Sequence, residues 1–192
     1  HDDQGKSLFY VHDKTTGERT GETTTSPTDK DRTICGNAQP KLNLGWNNTF
    51  NYKGFDLSVF LYARLGQWIA YDYNTTYRIN ALENGGNVDY WTPENPTNAF
   101  PRPNKSKSYT QVTYYSTLKY EDGSFFKIRD ITLGYTFKPE LLKHLNLSRL
   151  RVYATAKNFF TFSKIDNYDP EQGGSISFPM TKQLVFGLNV EF

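Results

Sequence analysis

The strict alternation of apolar and polar residues near the C-terminus constrains this chain most. Over residues 183–192 every even position is apolar, and Val185 is the single apolar residue at an odd position. Residues 41–52 repeat the pattern, with five apolar residues at six even positions and none at the odd positions. Period-two alternation is typical of a β-strand with one apolar and one polar face. The pattern therefore predicts an all-β structure built from such strands.

The same periodicity predicts further strands and the turns between them. Lys53-Gly54 predicts a tight hairpin turn, because glycine readily adopts positive φ. Within 124–138 the apolar parity reverses, which predicts a β-bulge near Arg129-Asp130. The predicted strands are residues 7–11, 41–52, 55–70, 124–138, 149–160 and 182–192, and the long connections are 12–39, 71–123 and 161–181.

The lengths of the connections between strands favour a membrane β-barrel. Residues 53–54 and 139–148 are short connections at one end of the strands, and the three long ones fall at the other end, as in an outer-membrane barrel. Aromatic residues cluster near both ends, as two membrane interfaces require. The rings near the short turns are Phe50, Tyr52, Phe55, Tyr135, Phe137 and Phe192, and those near the long connections are Trp68, Tyr71, Tyr73, Phe159, Phe160 and Phe162.

The fold predicted from these patterns is an antiparallel transmembrane β-barrel segment. The longest apolar run is only Val59–Ala63, far short of the roughly 18 residues that a membrane helix needs. A closed barrel also satisfies its backbone in lipid. A soluble β-sandwich lectin is the alternative, since it shares the alternation but not the two belts of rings.

Composition excludes several other classes. The net charge of +2, without a Lys/Arg cluster, argues against nucleic-acid binding. A single cysteine, Cys35, excludes an internal disulfide and a thiolate-rich metal site. His1, His12 and His144 are far apart in sequence and no nucleophile motif accompanies them, so no catalytic, cofactor or metal site is predicted. Asp166–Glu171 could offer oxygen ligands to Ca²⁺, but its spacing and Asp-Pro step favour a structural turn.

Four segments and the last strand carry a resemblance to a known family. They resemble, in order along the chain, the SusC/RagA-type TonB-dependent outer-membrane transporters. The segments are Asp31–Lys41 (DRTICGNAQPK), Tyr52–Ser58 (YKGFDLS), Ser124–Tyr135 (SFFKIRDITLGY) and Asn158–Phe162 (NFFTF) followed by Tyr168–Glu171 (YDPE). The final strand, which ends on Phe192, resembles the C-terminal strand of these barrels.

The resemblance implies a role in import rather than catalysis. Such transporters are barrels of about 22 strands with a plugged lumen, so the chain would be the last five or six strands. A SusD-like surface lipoprotein would cover the extracellular loops, and TonB would act through a plug that this chain does not contain. The C-terminus would be periplasmic. The imported nutrient would be an oligosaccharide or, as the alternative, a peptide; a non-transporting adhesin or glycan-binding barrel is a further alternative.

Two sets of side chains are candidates for contact with the cargo. The inward parity of the strands would line the wall around the plug. Its members are Lys41, Asn43, Asn47, Asn51, Asp56, Arg64, Arg149, Arg151 and Lys157. In the connection 71–123, the rings of Tyr71, Tyr73, Tyr90 and Trp91 could stack on sugar faces. Packing of these rings within the connection is an equally good interpretation.

Overall fold

A computed structural model describes residues 1–77, 85–105 and 117–192. These residues form two compact units, His1–Gly36 with Ile69–Glu121 and Asn37–Trp68 with Asp122–Phe192. Among them, no helix is both long and apolar enough to cross a membrane. Tyr109, Tyr114 and Tyr115 of the predicted connection 71–123 lie outside the described residues.

The second unit is an antiparallel sheet of five strands. In chain order they are β3 (Leu42–Tyr52), β4 (Phe55–Leu65), β7 (Phe125–Thr136), β8 (Arg149–Ser163) and β9 (Gln183–Glu191), and they lie side by side in that order. The short connection from β7 to β8 contains α2 (Pro139–Leu142) and a 3₁₀ turn (Lys143–Leu145). The antiparallel β fold predicted from alternation is confirmed.

The first unit is formed by smaller elements. β1 (Phe9–His12) pairs with β2 (Arg19–Thr24) in a separate two-stranded sheet. A 3₁₀ turn (Asp29–Asp31) follows, and α1 (Asp72–Thr75) lies further along the chain. The predicted connection 12–39 therefore contains the strand β2. β2 escaped prediction because its sequence, RTGETT, contains no apolar residue and so has no periodicity to detect.

The predicted strand 55–70 is interrupted in the structure. β4 ends at Leu65, and a separate strand β5 (Trp68–Ala70) pairs with β6 (Tyr120–Asp122). Gly66 adopts a φ of 75°, and the buried Gln67 side chain donates a hydrogen bond to the Gly123 carbonyl at 2.8 Å. These two residues turn the chain away from the alternating pattern. The strand predicted over 55–70 is therefore two strands in the structure, and the predicted connection 71–123 contains β6.

The bulge predicted from the reversal of parity is confirmed. Asp130 is opposite Phe60 of β4, and Ile128 is opposite the next residue, Leu61, so Arg129 is the extra residue. On the other side, Asp130 pairs with Lys157 and Ile128 with Phe160 of β8. Since a one-residue shift reverses the faces of a strand, the bulge keeps apolar residues on one face along the whole of β7.

Candidate functional site

One face of the five-stranded sheet is apolar and exposed. The register places apolar residues of neighbouring strands opposite one another, for example Leu133 between Leu57 and Ala154. Large side chains on this face are far from buried: Trp46 is 65% exposed, Phe186 74% and Leu188 65%. A soluble domain rarely exposes an apolar surface that extends across five strands. This face is therefore built to meet an apolar phase.

The opposite face of the sheet is polar and crossed by ion pairs. Its central feature is Lys127 in β7, whose side chain is completely buried. The Lys127 Nζ donates to Asp169 Oδ2 at 2.6 Å and to Glu171 Oε2 at 2.9 Å. Arg129 adds a contact from Nη1 to the other Glu171 oxygen at 3.0 Å. Four charged groups from a strand and from the connection after β8 thus form one network, here called the Lys127 cluster (Lys127, Arg129, Asp169 and Glu171).

The local fold of the connection orients these carboxylates. Asp169 precedes the 3₁₀ turn Pro170–Gln172, and its Oδ1 accepts a hydrogen bond from the Glu171 backbone N–H at 3.0 Å. Each Asp169 oxygen therefore has a hydrogen-bond donor: the Glu171 backbone N–H in the turn and the Lys127 Nζ of β7. Two carboxylates of the segment Asp166–Glu171, those of Asp169 and Glu171, bind Lys127 and Arg129. The interpretation of this segment as a structural turn rather than a Ca²⁺ loop stays a prediction. Within the described ranges no group of three His, Cys, Asp or Glu residues could hold a metal ion.

A second ion pair crosses three strands on the same polar face. Arg151 of β8 reaches over β7 to Asp56 of β4, with Nε and Nη2 at 2.8 and 2.5 Å from the two carboxylate oxygens. Gly134 lies directly beneath, and a Cβ atom there would collide with both side chains. The absence of a side chain at Gly134 therefore allows the Arg151 guanidinium to cross β7 and reach Asp56. The alternation in the sequence predicted that Asp56 and Arg151 face inward, but it did not predict that they form an ion pair.

Next to this pair, a tyrosine ring covers a second glycine. Tyr153 is opposite Gly134 on one side and Gly187 of β9 on the other. A Cβ at Gly187 would overlap the Tyr153 ring, so the ring occupies the space that a side chain there would need. The Arg151 guanidinium is 5.0 Å from the centre of the same ring, in cation–π range.

We expect Gly134→Ala to destabilise the protein by about 1–3 kcal/mol, the usual range for forcing atoms into an occupied space. The new methyl group would separate Asp56 from Arg151. Gly45→Ala is the matched control on the same face, because a Cβ there would meet only the Phe60 ring at an ordinary 3.5 Å. Denaturant unfolding of the full-length protein in phospholipid vesicles measures both. Equal losses for the two variants would contradict the role assigned to Gly134.

Two aromatic residues, Phe60 and Tyr62, lie on the polar face, and Tyr62 has two cations beside its ring. The guanidinium groups of Arg64 and Arg129 each lie 5.5 Å from the centre of the Tyr62 ring. Its hydroxyl accepts a hydrogen bond from Arg64 Nε at 2.7 Å. Phe60 stacks on the same ring at 6.4 Å. Tyr62 suits a polar face because its ring attracts two cations, and Phe60 packs against that ring.

The four predicted ligand-binding rings lie in the first unit. Tyr71 and Trp91 are buried, at 5% and 7% exposure, whereas Tyr90 is 42% exposed and Tyr73 is half-buried. Trp91 packs against Gly5, where a Cβ would overlap the indole, and its ring is 6.0 Å from the Arg102 guanidinium. Tyr71 stacks on Tyr73 at 5.8 Å. Packing contacts thus account for Tyr71 and Trp91, and ligand binding by the four residues stays a prediction.

A hydrogen-bonded turn stands beside Tyr90 and Trp91. Thr97 and Asn95 donate to the two Asp89 carboxylate oxygens at 2.6 and 2.7 Å. These hydrogen bonds hold the pKa of Asp89 below its usual value. A carboxyl whose pKa is depressed by folding stabilises the fold above its unfolded pKa and loses that contribution as the pH falls. The turn is therefore expected to be most stable with Asp89 ionised.

Comparison with known proteins shows which proteins contain a similar sheet. TonB-dependent receptor P3 of Formosa agariphila is 28% identical over 184 residues, covering 84% of this chain, and SusC of Bacteroides thetaiotaomicron is 29% identical over 157 residues, covering 78%. The solved structure of the RagAB peptide transporter covers the whole chain with a TM-score of 0.79 and 25% identity. The chain is similar to part of a SusC/RagA-type TonB-dependent receptor.

This result confirms the resemblance drawn from the sequence motifs. A second relative, TonB-dependent receptor P39 of Formosa agariphila, is 29% identical over 183 residues. The RagAB peptide importer in its open-open state superposes with a TM-score of 0.72. No protein-family model matches the chain. The chain spans only 17% of the length of P3, 15% of SusC and 22% of the RagAB chain.

The Lys127 cluster is the part of the site that sequence reasoning missed. Lys127 and Glu171 both fall inside segments that carried the resemblance, but they are 44 positions apart. The sequence feature that could have revealed it is Lys127 itself, a charged residue on the inward face of a strand between Phe126 and Ile128. A charge in such a place needs a partner, and Asp169 and Glu171 are the acidic residues of the YDPE motif.

Proposed function

We propose that this chain forms part of the barrel wall of a TonB-dependent importer in a bacterial outer membrane. The observation that carries the proposal is the exposed apolar face that extends across β3, β4, β7, β8 and β9, opposite a polar face with ion pairs. In a membrane barrel the apolar face meets lipid and the polar face lines the lumen. The similarity to SusC and RagAB supports the same role.

In this proposal the chain makes and breaks no bond. Its polar face would surround a plug belonging to the rest of the protein, which TonB would displace from the periplasm. The long connections would be extracellular and the C-terminus periplasmic. A SusD-like lipoprotein would close over the long connections as a lid. The Lys127 cluster would hold one of those connections, residues 164–182, against the lumen wall, so that cargo meets a fixed surface.

Oligosaccharide is the first proposed cargo. Tyr90 is exposed and Tyr73 half-exposed, so these two rings would stack on sugar faces, while the buried Tyr71 and Trp91 would support them. Peptide is the second candidate, and it is favoured by the solved structures, which are of a peptide transporter. The two cargoes use the same wall and differ in what the long connections recognise.

Fractionation and uptake test the proposal together. We expect the full-length protein in the outer-membrane fraction, extracted only by detergent, since its apolar face would otherwise meet water. Recovery in buffer without detergent would contradict the membrane assignment. Cells lacking the gene should lose growth on oligosaccharide as sole carbon source while growth on the monosaccharide, the control, is unchanged. Loss of growth on peptides alone would assign the second cargo, and no loss on either would leave an adhesin.

A further inference from the structure

The connection between β7 and β8 exposes leucines that the sheet does not explain. Leu142 is 2% exposed and anchors the connection. Leu141 and Leu145, by contrast, are 60% and 63% exposed. Both lie in the short helical turns Pro139–Leu142 and Lys143–Leu145. In the part of the chain that the structure describes, the side chains of Leu141 and Leu145 are left largely uncovered.

The same connection carries an excess of positive charge. Lys138, Lys143 and His144 are exposed, and Glu140 is the one acidic residue between Phe137 and Ser148. Within the part of the chain that the structure describes, neither lysine forms an ion pair. Exposed leucines beside unpaired lysines are the chemistry of a segment that lies in a lipid interface.

This segment continues directly from one belt of aromatic rings. Phe55 and Tyr135 face each other across β4 and β7, with ring centres 4.6 Å apart, and Phe137 contacts Tyr135 at 5.1 Å. Phe137 is followed immediately by Lys138 and the first helical turn. At the neighbouring hairpin, Lys53 Nζ lies 5.1 Å from the centre of the Tyr52 ring. Rings and lysine stems of this kind mark the level of lipid headgroups.

We propose that the β7–β8 connection is a phospholipid-binding anchor in the leaflet on the short-turn side of the membrane. Leu141 and Leu145 insert at the boundary between headgroups and acyl chains, and Lys138 and Lys143 contact anionic phosphate groups. Continuity with the ring belt and the complementary charge favour lipid over a protein partner. The inference rests on the proposed membrane function, because it needs the apolar face of the sheet to be in lipid.

Spin labels in the full-length protein test this anchor. The protein is reconstituted in vesicles of phosphatidylethanolamine and phosphatidylglycerol, with Cys35→Ser and any other cysteines replaced. Single labels are attached through Leu145→Cys, through His144→Cys on the same turn as control, and through Leu188→Cys on the apolar face. Collision with a water-soluble nickel chelate and with oxygen, which concentrates in lipid, is measured for each label.

We expect the Leu145 label to collide with the nickel chelate several-fold less than the His144 label, and with oxygen more. Replacing phosphatidylglycerol by phosphatidylcholine should reduce this difference, because the lysines lose their anionic partners. Equal nickel collision at positions 144 and 145 would overturn the anchor, as would a Leu145 label shielded from both reagents by protein. A Leu188 label that is open to the nickel chelate would instead overturn the membrane function itself.

Discussion

Lys127→Met is expected to lower the free energy of unfolding by about 3–5 kcal/mol, the range for removing one partner of a buried ion pair. The Lys127 side chain is 0% exposed, and the Asp169 and Glu171 side chains are only 12% and 9% exposed. Without the lysine, Arg129 alone would face two carboxylates, which leaves one buried negative charge uncompensated. Denaturant unfolding of the full-length protein in vesicles measures the loss.

Lys157→Met provides the matched control. Lys157 is on the same face, and its Nζ is 3.8 Å from Asp130 Oδ1, with side chains 46% and 34% exposed. Exposed pairs of this kind contribute about 0–1 kcal/mol, so this variant should be nearly neutral. Adding Asp169→Asn and Glu171→Gln to Lys127→Met should recover part of the stability by removing the unpaired charges. A Lys127→Met loss no larger than that of Lys157→Met would show that the cluster does not stabilise the wall.

The same variant should release the connection after β8. The contacts of Asp169 and Glu171 with β7 are the ion pairs that join the 3₁₀ turn Pro170–Gln172 to the sheet. With Lys127 replaced, trypsin should cleave after Lys164 and Lys182 more rapidly in intact vesicles, while cleavage after the exposed Lys14, which lies in another long connection, stays constant as an internal control. Unchanged cleavage would mean that other contacts hold this connection.

Phe186→Arg has the second largest expected effect, about 2–4 kcal/mol, the range for arginine on the lipid side of a barrel near mid-membrane. Phe186 is 74% exposed on the apolar face of β9, opposite Ala154. In lipid, its replacement would place a guanidinium in hydrocarbon. Refolding and unfolding in phospholipid vesicles measures the loss without requiring the cellular assembly machinery.

The adjacent residue gives an unusually close control. Val185 is also apolar and exposed, at 40%, but faces the polar side opposite Thr155. Val185→Arg should therefore change stability little, since its side chain would enter the lumen. Similar losses at both positions would mean that the two faces of the sheet meet the same medium. That result would favour a soluble sheet over a membrane wall.

The faces of the sheet were accessible to sequence reasoning because they depend on nearest neighbours in the chain. Leu42, Leu44 and Trp46 alternate with polar residues, and a period of two needs no knowledge of the partner strand. The bulge at Arg129 was accessible for the same reason, since it appears as a reversal of parity. Features that depend on the sequence of a single strand, such as its apolar face or a bulge within it, could therefore be predicted.

The ion pairs could not be predicted because each depends on register between distant segments. Arg151 and Asp56 are 95 positions apart in the chain. They meet across β7 only because Gly134, which lies beneath them, has no side chain. The break between β4 and β5 was hidden because Trp68 and Ile69 extend the apolar pattern beyond Gly66. β2 was hidden because an exposed hairpin can form without any apolar residue.

The outer edges of β3 and β9 have a practical consequence. In the part of the chain that the structure describes, neither edge is paired with another strand, although β3 has 11 residues and β9 has nine. Such edges offer a continuous row of backbone donors and acceptors to any other strand. Produced by itself, the segment should self-associate into sheets. In the proposed barrel, further strands produced as a separate chain should pair with both edges, so their association with this chain can be used as a reporter of assembly.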